Sequence, residues 1–261
     1  MVNVVIDLAK SVDENAGTYF ELAKKAKKKV AGTLKALEES RRKLAQLQKD
    51  EHLFLEQEHQ KLQKKERKKE WYEKFHWFIS SEDFLCIGGK DSTTNEIIIK
   101  KHLEKDDIVF HTDMAGSPFF IVKNGHKATS ITLQEAAQAT AVYSKAWKAG
   151  HTIADVFYVN PDQVSKEAKS GEYMSKGSFM IRGKTTYLHP SVELAIGIVE
   201  EQIIGGPESA IKKQTATYVI IIPGEEAKGS LTKKIKHKLG GGELNDIMNF
   251  LPAGGGMMKK S

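Results

Sequence analysis

Between Trp71 and Phe78 the hydrophobic period of the chain changes, and this change dictates its organisation. Before it, apolar residues recur at three- and four-residue spacing; after it they come in short β-rich runs bounded by Gly, Asn and Pro. Trp71, Tyr72, Phe75, Trp77 and Phe78 form the densest aromatic cluster of the chain and sit on the change itself. Five aromatics at a helix-to-sheet junction read as core, with only Trp71 or Tyr72 expected to be partly exposed. The expected class is α+β: a mixed or antiparallel sheet domain with packed helices, preceded by a long helical coiled-coil arm. Residues 1–70 form the arm, 71–204 the domain, and 205–261 a C-terminal α/β extension of the same globule.

The arm begins with a short apolar run, Val2 to Ile6, for which the sequence offers no regular partner. Ser11-Val12-Asp13-Glu14 then reads as a capping box with an acidic first turn. No proline follows until Pro118. Phe20, Ala23, Val30, Leu34, Leu37 and Leu44 make a heptad-like stripe, interrupted by Lys27 and Arg41. So narrow a stripe needs a partner. An unbroken helix from Val12 to Phe75 would extend about 95 Å. Because the stripe thins after Leu47, the preferred expectation is an antiparallel hairpin folding back near Asp50–His52, with dimerisation through the exposed face as the other option. The run Lys64-Lys65-Glu66-Arg67-Lys68-Lys69 is more one-sided than a solvated helix face needs, and such a ridge suits a nucleic-acid backbone.

In the domain, Phe84–Ile87 reads as a strand, Asp91–Asn95 as a loop, and Ile97–Ile99 as the return strand of a hairpin. Ile108–His111 and Phe119–Val122 are two more strands. Leu133 to Trp147 is a helix with Thr132 as its candidate cap and Ala136, Ala139, Val142, Tyr143 and Ala146 on one packed face. Strands follow at Ile153–Val159, Ser178–Ile181, Val192–Ile198 and Ala216–Ile222, the last stopped by Pro223-Gly224. Gly205-Gly206-Pro207 is the best interior boundary signal in the chain. Short helices are expected at Lys228–Leu239 and Glu243–Leu251, and a loose tail from Gly254 to Ser261.

Charge and chemistry narrow the function. A net charge of +6 admits an anionic partner. Cys86 is the only cysteine, which excludes internal disulfides and multi-cysteine metal sites, and its apolar setting reads as core. There is no signal-peptide pattern and no apolar run near the roughly 20 residues of a membrane span, so the expectation is cytoplasmic with no membrane partner. No P-loop, G-x-S-x-G, H-E-x-x-H or C-x-x-C occurs. His111 and Asp113, with Asp106 or Asp107, would be the only candidate metal cluster of a nuclease. Gly88-Gly89-Lys90 and Gly183-Lys184 are turns that can offer backbone N–H groups and a lysine to a phosphate.

Three ordered segments resemble one family: WYEKFHWFISSEDFLCIGGKDSTTNE, DIVFHTDMAGSPFFIVKNG and SGEYMSKGSFMIRGKTTYL are similar to the NFACT-R domain of archaeal-like ribosome-associated quality-control proteins. The similarity extends upstream through IDLAKSVDENAGTYFELAKKAKKK, which resembles the coiled-coil arm, and downstream into YVIIIPGEEAKGSLTKKIKHKL. The large N-terminal half of full-length relatives has no counterpart in this sequence. The resemblance implies binding to ribosomal RNA or tRNA and to the large ribosomal subunit, without catalysis, cofactor or metal. Its motif falls on Gly88, Gly89, Asp91 and Asn95, on His111, Ser117 and Lys123, and on Ser178, Arg182, Gly183 and Lys184. With Lys90, the expected RNA-binding set is Lys90, Asn95, His111, Ser117, Lys123, Arg182 and Lys184, backed by a basic arm of Lys64, Lys65, Arg67, Lys68 and Lys69. Lys123, Arg182 and Lys184 would hold phosphates, and Asn95 and Ser117 sugar or phosphate. The alternative is a protein-interaction or dimerisation module acting through the arm.

Overall fold

The computed structural model describes residues 3–63, 69–165 and 177–259, with the backbone alone for 52–63. The chain divides into two compact units, Met1–Lys68 and Lys69–Ser261.

The first unit is one helix, α1 (Val12–Gln63). The capping box forms as its sequence requires: the Ser11 N–H donates to Glu14 at 2.8 Å and the Glu14 N–H donates to Ser11 Oγ at 3.2 Å. The Ser11 N–H, and after it the Ser11 hydroxyl at 3.0 Å, donate to the Glu14 carboxylate and hold it below its usual range. The apolar start does find a partner, since the Tyr19 hydroxyl donates to Val5 O at 2.6 Å and accepts the Val5 N–H at 2.9 Å. No hairpin forms at Asp50–His52; the helix runs through it. That stretch contains neither Gly nor Pro and is rich in Leu, Glu, Gln and Lys, all strong helix formers. Gln46 Nε2 also donates to Asp50 Oδ1 at 3.0 Å, a bond one turn apart that favours continuation. Its 52 residues extend about 78 Å.

The second unit is built on two antiparallel sheets. The first takes β1 (His76–Ile79), β2 (Leu85–Gly88), β3 (Ile108–His111), β4 (Phe120–Val122) and β5 (Val156–Val159). A small ribbon of β6 (Val164–Ser165) and β7 (Met180–Ile181) precedes β8 (Thr186–Leu188), which closes that sheet in the order β1-β2-β4-β3-β5-β8. The second sheet holds β9 (Leu194–Val199), β10 (Gln202–Gly206), β11 (Tyr218–Glu226) and β12 (Gly256–Met258), in the order β10-β9-β11-β12. The helices of this unit are α2 (Ser92–Ile97), α3 (Ser130–Val142), α4 (Lys145–Lys148), α5 (Glu208–Gln214), α6 (Lys228–Leu239) and α7 (Leu244–Phe250).

Unbroken apolar runs in β3 and β4 follow from burial on both faces. Phe110 and Phe120 point into the larger core with Phe78, Cys86, Ala136 and Ala139, while Val109 and Ile121 point into a second core with Phe75, Ile87, Ile98 and Phe157. Alanines on α3 let that helix approach the first sheet closely. Cys86 is fully buried, and burial pushes its thiol well above the usual range. Phe75 and Phe78 are core, Tyr72 and Trp77 are half-buried, and Trp71 is 45% exposed.

Several expected elements differ. Asp91–Ile99 is helical rather than loop and strand. The Asp91 carboxylate accepts the Thr94 N–H at 2.8 Å, and Thr94 Oγ accepts the Asp91 N–H at 2.9 Å, so a complete cap starts α2. Of the three isoleucines only Ile98 is fully buried, as a helix face requires, and a π-helical turn continues over Ile98–His102. Thr129, not Thr132, caps α3, its hydroxyl accepting the Ile131 N–H at 3.2 Å. Thr132 is buried and donates to Glu82 at 2.6 Å. Helix Leu133–Trp147 is broken at Tyr143–Ser144, where Ser144 caps α4. The strand read from Ile153 starts at Val156, Ile153 making only a bridge to Ser191.

At the expected boundary, Gly205-Gly206 are the last two residues of β10. A Cβ at Gly205 would lie 2.7 Å from the Phe250 ring and one at Gly206 2.9 Å from Phe78 Cβ, so packing demands both glycines. Pro223-Gly224 does not stop β11 but sits where its pairing with β12 shifts register. The tail from Gly254 contributes β12 and is tied by Lys259, whose N–H donates to Ile220 O at 2.8 Å. No helix among the described residues is long and apolar enough to cross a membrane.

Candidate functional site

The expected site residues fall into three groups. At one end of the first sheet, β2 runs out through Gly88 and Gly89 to Lys90 and the cap of α2. Asn95 on α2 is buried; its Oδ1 accepts the Phe119 N–H at 3.0 Å and its Nδ2 donates to Ser117 O at 3.3 Å. Gly89 is glycine because Asn95 fills the space a Cβ would take, 1.9 Å from Asn95 Oδ1. Asn95 therefore ties α2 to the segment entering β4. Ser117 is buried too, its hydroxyl donating to Met114 O at 2.7 Å and lying 2.5 Å from Thr112 Oγ. Both side chains are buried and bonded within the fold. Both were expected to meet sugar or phosphate; instead they set the Thr112–Ser117 loop.

His111 lies flat on Phe119, centroids 4.0 Å apart, with Nδ1 2.9 Å from Pro118 O. A carbonyl can only accept, so Nδ1 carries the proton and Nε2 is the acceptor. Burial holds the imidazole below its usual range and neutral near pH 7. Lys90 is exposed overall, yet partial desolvation lowers its ammonium from the usual range.

Lys123 lies elsewhere. Gly88 pairs with Phe120 and the Lys123 N–H donates to Leu85 O, which puts Lys123 at the opposite end of the sheet from Lys90. Its ammonium donates to Asp107 at 2.7 Å and to His102 O at 2.8 Å, and lies 3.1 Å from Glu104. Asp107 is fully buried and also accepts the backbone N–H groups of Glu104 and Asn124. With each of its donors occupied, Lys123 is a structural tie rather than the expected phosphate ligand.

Arg182 and Lys184 flank Gly183, whose φ of +84° needs glycine. Gln163 Nε2 donates to both Arg182 O (2.8 Å) and Lys184 O (2.9 Å), while the Arg182 N–H donates to Gln163 O. Both basic residues are exposed on this pinned turn. Lys69 is exposed; Lys64, Lys65, Arg67 and Lys68 lie outside the described residues. Among the described residues no three His, Cys, Asp or Glu side chains gather as metal ligands, and Asp113 instead accepts the Tyr187 hydroxyl at 3.0 Å.

Trp71, one of the two rings for which exposure was expected, and Tyr187, which the sequence reading missed, are both exposed. Trp71 stacks on His102 at 4.5 Å, and Tyr187 packs at 5.6 Å from Phe157 beside the basic turn. The aromatic–basic run around Tyr187, Arg182-Gly-Lys-Thr-Thr-Tyr, was the available signal.

Residues 74–183 match the NFACT protein RNA binding domain. Over 200 residues the chain is 42% identical to the archaeal Rqc2 homolog aRqcH of Methanocaldococcus jannaschii, covering 74% of this chain and 29% of that protein. It is 40% identical over 201 residues to the ribosome quality control complex subunit NEMF homolog of Drosophila melanogaster, covering 75% and 20%. To the human subunit NEMF it is 41% identical over 183 residues, covering 68% and 16%. The chain thus spans less than a third of the length of these relatives. By these matches residues 74–183 are an NFACT-R domain, and the chain around it is similar to part of the archaeal Rqc2 homolog and of NEMF.

Proposed function

We propose that this chain is the RNA-binding part of a ribosome-associated quality-control factor, working on the large ribosomal subunit in the cytoplasm through phosphate contacts and without a chemical step. The observation that carries the reading is the match of residues 74–183 to an RNA binding domain that takes in both exposed basic turns, at Lys90 and at Arg182-Gly183. Arg182 and Lys184 are its phosphate ligands, and Trp71 and Tyr187 its stacking rings. The RNA is ribosomal RNA or tRNA. Filter binding of both, beside a polyanion of matched charge, tests it. Affinity should fall linearly in a log–log plot against salt, with RNA retained above the polyanion. Binding absent from every RNA, or insensitive to salt, refutes it.

A second reading places a partner protein or a second copy of the chain on the arm. It is favoured by exposed Phe20, Val30, Leu34, Leu37 and Leu44 along one stripe of α1. Leu34→Glu with Leu37→Glu should abolish association in sedimentation and leave RNA affinity unchanged. Association that survives both charges rules out this stripe as the contact.

A further inference from the structure

His76, Lys90 and Lys228 are three donors from separate elements, of which the RNA reading has used only Lys90. His76 opens β1 opposite Gly88, Lys90 follows Gly88 by two residues, and Lys228 opens α6. The imidazole lies flat on Tyr143, with centroids 3.7 Å apart and planes 15° apart. Tyr143 is itself fixed, its hydroxyl donating to Phe250 O at 2.8 Å and its ring stacked toward Phe120 at 6.0 Å. The stack therefore fixes the plane of the His76 ring.

Its two nitrogens differ. Nδ1 is buried with no hydrogen-bond partner, the one such side-chain atom among the described residues. Nε2 is not enclosed and makes no hydrogen bond to them. A buried N–H without an acceptor is rarer than an under-used acceptor, so the proton belongs on Nε2, the nitrogen that reaches solvent. Burial and the two lysines hold this ring well below the usual histidine range, so it is a neutral donor.

The lysines are also unneutralised. Among the described residues neither forms an ion pair; Lys228 Nζ donates to Leu251 O at 2.8 Å and keeps further donors. They are near enough for the Lys90 charge to depress the Lys228 ammonium, and both are partly desolvated. Two like charges, each partly desolvated and near the same imidazole N–H, repel one another until an anion lies among them. A tetrahedral oxyanion accepts from three separate directions at once, which a ring of donors without acceptors matches.

We propose that His76 Nε2–H, Lys90 and Lys228 form a phosphate-binding site, whose occupant in the RNA complex is one phosphodiester of the strand. The RNA occupant rests on the function proposed above; the phosphate chemistry does not.

The experiment follows the His76 imidazole in the intact chain by long-range proton–nitrogen NMR, with the resonance assigned by its loss in His76→Gln. Inorganic phosphate is titrated first, then a single-stranded RNA oligonucleotide. Phosphate should move the Nε2 signal saturably, and the double substitution Lys90→Gln/Lys228→Gln should abolish that shift while leaving the other histidine signals in place. RNA should move the same signal, and the double variant should lose about 0.7 in the slope of log affinity against log salt for the lost contact. A shift with RNA alone assigns the site to the phosphodiester. A shift with phosphate alone upholds the site and denies it to RNA. A signal unmoved by either in the wild-type chain overturns the site, and RNA binding with an unchanged slope in the double variant would leave the proposed function standing without it.

Discussion

Lys123→Met should damage the fold and spare the interface. The substitution keeps most of the aliphatic stem but strips the cation from Asp107, whose carboxylate is fully buried. Removing one partner of a buried pair costs about 3–5 kcal/mol. Asp107 would retain the backbone N–H groups of Glu104 and Asn124, so the lower end, about 3 kcal/mol, is expected. For a globule of this size that lowers the melting temperature by about 6–12 °C. Urea denaturation measures the loss, and filter binding at a temperature where the variant is folded measures RNA affinity across salt. The expected result is a lower midpoint with an unchanged salt slope. Adding Asp107→Asn should return part of the stability by removing the uncompensated charge. A variant as stable as wild type whose salt slope falls by a full contact would refute the reasoning and restore Lys123 as a phosphate ligand.

Gly89→Ala should lose about 1–3 kcal/mol in denaturant unfolding, because the new methyl occupies the place of the Asn95 amide and the clamp must shift. Arg182→Gln with Lys184→Gln should leave stability within about 0.5 kcal/mol but flatten the RNA salt dependence by roughly 0.7 per lost contact. Stability should also fall as pH drops from about 7 through the usual histidine range near 6.5. His76, His102 and His111 are all held below that range in the fold, so over this window the unfolded chain binds more protons. Their contribution is complete above the unfolded value and is lost toward acid; His111→Gln should flatten the profile, and a steeper one would contradict the assignment. Depressed Glu14 and Glu82 act in a lower window, below their usual value of 4.5.

What the sequence disclosed depended on the range of the interactions involved. Helix α6 was legible over Lys228–Leu239 because its pattern is local, and the runs of β3 and β4 because burial on both faces leaves unbroken apolar segments. Asp91–Ile99 was misread because three β-branched residues suggested a strand while the decisive Asp91–Thr94 cap is a pair of reciprocal short-range bonds. The hairpin in the arm was inferred from a thinning stripe, although helix propensity alone carries the backbone through Asp50–His52. Among the site residues, the basic turn at Arg182–Lys184 was readable from Gly183. The roles of Asn95, Ser117 and Lys123 were not, because each is set by partners 16 to 24 positions away or by burial. Motif residues thus divide into those that build the surface and those that present charge, a division that composition cannot express.

Gln163 bears on how the charged turn works, beyond where it sits. By donating to the carbonyls on both sides of Gly183 it splints the loop that carries Arg182 and Lys184. An unsplinted loop must be ordered when a ligand arrives, and that entropy opposes association. Charge and rigidity can therefore be separated: Gln163→Ala should weaken RNA binding while leaving the salt slope unchanged, since every cation remains. The turn is then a preset template, with its cations held in place before any strand is met.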